Sequence, residues 1–157
     1  MQRGIAPEIA AQWIALFYIG ITAGRFVSGF ITIKLSNRQM VRLGQSLIAV
    51  GIVVLALPFE DAALLPGLFL IGLGCAPIYP SLLHETPHNF GKEYSQAIMG
   101  IQMASAYIGT TLMPPLFGAL ASKTSFALFP FFLGLLLLLK ILMVEIVNKK
   151  VAKARRH

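Results

Sequence analysis

The sequence predicts an all-helical integral membrane protein, a polytopic bundle of about five transmembrane helices, and three observations lead there. The 157-residue chain is 57% hydrophobic and 12% charged, where a soluble domain carries about 25% charged residues. Its apolar residues fall into five segments, at about 9–33, 41–59, 65–83, 98–121 and 126–147, each near the roughly 20 residues a helix needs to cross a bilayer. Its basic residues gather at alternate connections, the pattern that sets orientation in a membrane.

The connections are short, so residues 1–148 read as one transmembrane helical bundle without a soluble domain, and 149–157 as a basic cytoplasmic tail. No short apolar region with a small-residue cleavage site follows Met1, so no removable signal peptide is expected. The single cysteine, Cys75, excludes an intrachain disulfide and reads as a small residue packed inside a helix. In a soluble protein the net charge of +7 would point to nucleic acid. Here its sidedness accounts for it: the expected partner is the lipid bilayer, and no nucleic acid is expected.

The first span carries Trp13 near its outer end, and Gly20, Gly24 and Ser28 along one face at four-residue spacing. Small residues in that register let another helix approach closely. Arg25 lies beside this face, at a depth of about 10 Å from the cytoplasmic end at 1.5 Å per residue. An intramembrane charge is a functional candidate by default, with a structural arginine joining helix ends as the alternative. The second span, LIAVGIVVLALPF, is uniformly greasy and is expected to face lipid.

The third stretch, LPGLFLIGLGCAPIYPSLLHETP, has no charge in its first nineteen residues. Pro77 and Pro80 sit inside it, each removing a backbone donor and crowding the preceding turn. Freed carbonyls in lipid need partners from neighbouring helices, side chains or a wet cavity, so a broken helix here belongs inside a bundle. Tyr79 puts a hydroxyl at the break. The fourth span mixes Gln102, Ser105, Tyr107, Thr110 and Thr111 with Gly100, Gly109 and Gly118, and Pro114 and Pro115 break or bend its outer part. It is expected to pack beside the third span. The fifth, FPFFLGLLLLLKILMV, should face lipid, with Lys140 and Glu145 as interface residues.

Nine basic residues (Lys34, Arg38, Arg42, Lys92, Lys149, Lys150, Lys153, Arg155 and Arg156) fall on one side. Arg3 and Lys123 fall on the other, beside Glu8, Glu60 and Asp61. The positive-inside rule then places the N-terminus outside and the C-terminus in the cytoplasm of a cell (cytoplasmic) membrane. The tail also suits an anionic leaflet.

Gly24-Arg25, Ser28-Gly29, Lys34, Arg38 and Arg42-Leu43-Gly44 resemble the segment joining helices eight and nine of a major facilitator superfamily transporter. Gly29, Lys34 and Arg38 fall on its loop signature, G-x-x-x-D-[RK]-x-G-[RK]-[RK]. Ile33 replaces the acidic residue, Ser36 the glycine and Asn37 a basic residue. The runs GLGCAPIYPSLLHETP and MGIQMASAYIGTTLMPPLFG resemble helices ten and eleven of the fucose-permease-like sugar transporter branch. The resemblance implies a C-terminal half fragment, helices eight to twelve, of a secondary transporter with substrate held near the midplane between two halves. It also implies alternating-access transport of a small polar solute, a sugar or related compound, with gating roles for Arg25, Gly29, Lys34 and Arg38. The missing N-terminal half, or another subunit, would then be a required partner, and the fragment alone would be inactive.

Trp13, Tyr79, Gln102 and Tyr107 are the substrate-cavity candidates. Tryptophan and tyrosine offer flat apolar faces with a donor, and the glutamine amide both donates and accepts. Trp13 reads equally well as an interface residue. No phosphate loop, dinucleotide fingerprint or nucleophile elbow appears, and no cofactor is expected.

His84-Glu85-Thr86-Pro87-His88 spells H-E-x-x-H, the motif of zinc proteases, whose helix places two histidines on one face beside a glutamate. Pro87 disfavours helical geometry at Thr86, and the remaining histidine, His157, is the last residue. The motif is therefore expected to be a polar cytoplasmic loop without metal, and the chain not an enzyme. A non-transporting scaffold or accessory subunit is the third class. The polarity of the third and fourth spans argues against it.

Cysteine labelling in a Cys75→Ser background checks the topology. Asn37→Cys and Lys153→Cys should react from one side of the membrane and Asp61→Cys from the other; opposite sidedness of the first two sinks it.

Overall fold

A computed structural model describes residues 7–57, 60–123 and 128–154. Its described residues form six α-helices: α1 (Pro7–Ile31), α2 (Asn37–Ala56), α3 (Glu60–Cys75), α4 (Ile78–Phe90), α5 (Lys92–Lys123) and α6 (Phe129–Ala154). The fold is an all-α, polytopic membrane fold. Among the described residues, four segments are long and apolar enough to cross a bilayer: Ala11–Ile31, Asn37–Ala56, Leu64–Phe90 and Phe129–Lys153. At 32 residues α5 is the longest helix, about 48 Å at 1.5 Å per residue. Its glutamine, serines, threonines and glycines keep it out of that apolar set.

Helix boundaries follow local chemistry. Pro7 opens α1 at its first position, where a missing N–H costs nothing. Ser36 caps α2 through a reciprocal pair: the Gln39 N–H donates to Ser36 Oγ at 3.4 Å, and the Ser36 N–H donates to Gln39 Oε1 at 2.9 Å. That capping box occupies the position where the loop signature has glycine. Between α3 and α4 the chain turns at Ala76-Pro77. Gly91 ends α4 with φ +81°, a conformation that favours glycine.

Two expectations about proline change. The break falls at Pro77, whereas Pro80 sits in the first turn of α4 and does not break it. Pro114 and Pro115 lie inside α5, which runs through them as a continuous helix. Two missing donors withdraw the bonds of the Thr110 and Thr111 carbonyls, and the remaining ladder carries the helix.

The chain divides into two compact units, Met1–Leu82 and Leu83–His157. In the first, α3 packs against both α1 and α2. On the α1 side the backbones nearly touch. A Cβ on Gly20 would lie 2.5 Å from the Phe69 carbonyl oxygen, and one on Gly72 would collide with the Phe17 carbonyl. On the α2 side Gly44 and Gly74 face each other, and an added Cβ would lie 2.5 Å and 2.6 Å from the opposing carbonyl oxygen. The small-residue face read in the first span is thus a real seam at Gly20 and Gly24.

The second span departs from the lipid-facing expectation. Met40, Val41, Gly44, Gln45, Ile48, Gly51 and Leu55 are buried, while Val50 and Val53 on the other face are exposed. The second glycine seam explains why, since a greasy composition does not say which face packs.

In the second unit α6 is almost wholly exposed along Phe131, Leu135, Leu138, Leu142 and Met143. Phe117 of α5 packs against Phe129 and Phe132, with ring centroids 5.2 Å and 5.1 Å apart. Helix α6 continues to Ala154, so Lys149, Lys150 and Lys153 stand on its last turns. The remaining tail, 155–157, lies outside the described residues, as do Arg3, the end of the 41–59 span and the start of the 126–147 span.

The glycine contacts make a direct prediction. Gly72→Val and Gly44→Val should each lower stability in a reversible unfolding assay by about 1–3 kcal/mol, the usual cost of overpacking. Gly118→Ala, whose Cβ meets nothing within 4 Å, should be neutral or gain up to about 1 kcal/mol of helix propensity. Equal losses at all three would contradict the seam.

Candidate functional site

Helices α4 and α5 bring together a polar pair within the second unit. Thr86, on α4, is 1% exposed. Its hydroxyl donates to Gln102 Oε1 at 3.2 Å. Sequence reading singled out Gln102 and overlooked Thr86, which it had assigned to a loop.

That assignment is corrected: HETPH is helical, inside α4. Pro87 does deprive the Leu83 carbonyl of its donor. The helix persists because Thr86 is buried and bonded to Gln102, and because the Gly91 N–H donates to the Pro87 carbonyl at 3.1 Å, closing the last turn. His84 and His88 are both exposed, and Glu85 is half-buried. Among the described residues, no three or more His, Cys, Asp or Glu side chains gather as a metal site. A hydrolytic zinc centre uses three protein ligands, and His157 lies outside the described residues.

The other cavity candidates are placed individually. Trp13 is half-buried on α1. Tyr79 is 38% exposed in the first turn of α4, and Tyr107 is 75% exposed on α5. The loop-motif residues Arg25, Gly29, Lys34 and Arg38 are all exposed. A Cβ on Gly29 would meet nothing within 4 Å, so packing in this chain does not demand glycine there.

One polar residue escaped sequence reading altogether. Gln45 is 7% exposed on α2, and its Nε2 has no hydrogen-bond partner. The signal was available: Gln45 lies four residues after Val41 and three before Ile48, on the packed face. The buried polar side chains Gln45, Ser81, Thr86 and Ser95 are uncharged, which avoids the cost of burying an ion.

The Thr86–Gln102 bond is testable by a double-mutant cycle. Thr86→Val and Gln102→Leu should show a coupling energy of about 0.6 kcal/mol in reversible unfolding, the average for interhelical bonds in membranes. Purely additive losses would mean that the pair does not couple.

Comparison with known proteins adds two matches. The sequence profile described as the Major Facilitator Superfamily matches residues 2–156. A di-/tripeptide transporter of Lactococcus lactis subsp. cremoris is 28% identical over 130 residues, which cover 82% of this chain and 26% of the relative. The chain thus spans about a quarter of that relative's length. No solved structure matches.

Proposed function

Since the chain belongs to the major facilitator superfamily, we propose that it supplies helices of a secondary transporter that moves a small polar solute by alternating access. The observation that carries this reading is the family match over nearly the whole chain. The chain's part would be helices eight to twelve, in a cell membrane, with the N-terminus outside and the C-terminus cytoplasmic. An N-terminal half or another subunit completes the pathway, because substrate in such transporters sits between repeats.

The preferred solute is a sugar or polyol. It would be held by neutral donors and acceptors such as Gln102, with Tyr79, Tyr107 and Trp13 offering ring faces. Buried neutral polar side chains suit an uncharged solute better than a zwitterion. A short peptide is the second reading, favoured by the similarity to a di-/tripeptide transporter.

Trp13 is the single tryptophan, so its fluorescence provides a binding test on the purified chain. Saturable quenching by a hexose or polyol, weakened about 3- to 10-fold by Gln102→Ala, would match the loss of one hydrogen bond of roughly 0.5–1.5 kcal/mol. Quenching by dipeptides alone would transfer the assignment to peptides. Should neither solute bind, and neither be taken up by cells expressing the chain with its completing helices, the reading fails.

A further inference from the structure

We propose that His84 and His88 form a two-imidazole chelate for a borderline divalent transition metal, on the exposed face of the last turns of α4. The helical form of HETPH makes this site. Residues four apart on an α-helix differ by about 40° in direction and bring their Cβ atoms to about 5–6 Å. Both imidazoles are exposed. Thr86 lies between them in sequence and about 160° away from each around the helix.

Thr86 is 1% exposed and bonded to Gln102, so its burial turns the 84/88 face outward and fixes the register. The Gly91 N–H to Pro87 carbonyl bond holds the turn that carries His88. The face lies at the charged end of the helix, where Lys92 and Glu93 follow Gly91, so an aqueous ion can reach it.

Neutral imidazole is the commonest protein ligand for metals. Two of them suit Cu2+, Ni2+ and Zn2+ over Mg2+ or Ca2+, with Cu2+ tightest by the Irving–Williams order. Water completes the coordination. With two protein ligands the site binds metal and does not hydrolyse, which separates it from the protease reading of the same letters.

The test uses Cu2+ and the purified full chain carrying a tag without histidine. Calorimetry should give one Cu2+ per chain, and electron paramagnetic resonance should show coupling to two imidazole nitrogens. His84→Ala and His88→Ala should each weaken binding by roughly a hundredfold, the lower end of what linking two ligands supplies. His157→Ala should change nothing. His88→Ala combined with Asn89→His keeps the number of imidazoles but sets them about 140° apart on the helix, so it should not restore affinity. Circular dichroism of each variant separates loss of the ligand from loss of the helix. Failure of the chain to bind Cu2+, or stoichiometric binding that survives the His84→Ala/His88→Ala double variant, overturns the proposal.

Discussion

In a bilayer a backbone carbonyl without a donor cannot turn to water, and nine prolines make this the constraint on which the rest of the fold depends. Pro7, Pro80 and Pro130 fall in the first turns of their helices, where the missing N–H has no intrahelical acceptor to lose. Pro77 falls in a turn, which ends one helix and lets the next begin. Pro66, Pro87, Pro114 and Pro115 are interior, and they leave the carbonyls of Ala62, Leu83, Thr110 and Thr111 without their usual donors. The sites where a helix runs through a proline therefore differ from the site where it stops. At Pro77 the chain turns, and Pro80 then sits in the first turn of the new helix, where it costs no intrahelical bond. At Pro87 a buried threonine and a closing glycine hold the turn together.

That distinction marks where sequence reasoning succeeds. The all-helical character of the apolar segments, the turn at Pro77 and the glycine face on α1 follow from composition and spacing, which are local properties. The helical state of HETPH does not, because it depends on Gln102, sixteen residues away in sequence. The packed face of α2 was equally hidden: LIAVGIVVLALPF is apolar all round, and Gly44 lies just before that run. Gly74 on α3 decides which face is buried. Of the candidate cavity residues, Gln102 was legible as a polar residue in an apolar segment, whereas Thr86 was masked by the proline that follows it.

The seams also bear on rigidity. Backbones in contact at Gly20/Gly72 and Gly44/Gly74 leave no side chains between them to repack, so α3 is held closely against both α1 and α2 within the first unit. Rocking of rigid helix groups about a central site is how transporters with internal repeats alternate access. Close backbone contact supplies such rigidity without a hydrophobic driving force, which lipid does not provide.

The polar residues inside the apolar segments divide by what their own helix can satisfy. The hydroxyls of Thr22, Ser28, Thr32, Ser46, Thr110 and Ser122 each donate to a carbonyl three or four residues back, at 2.8–3.0 Å. Such back-bonding makes a serine or threonine nearly silent in a membrane helix. A mid-helix glutamine has an NH2 group and a carbonyl on a longer stem, so it must look elsewhere. Gln102 finds Thr86 on α4. Gln45 Nε2, buried and without a partner, carries a desolvation cost of about 1–3 kcal/mol. Polar groups kept in a membrane at such a cost are functional candidates, and the threonines and serines that first draw the eye in α5 are weaker ones. Ranking by self-satisfaction thus moves attention from the most polar helix to two amides, one on α2 and one on α5.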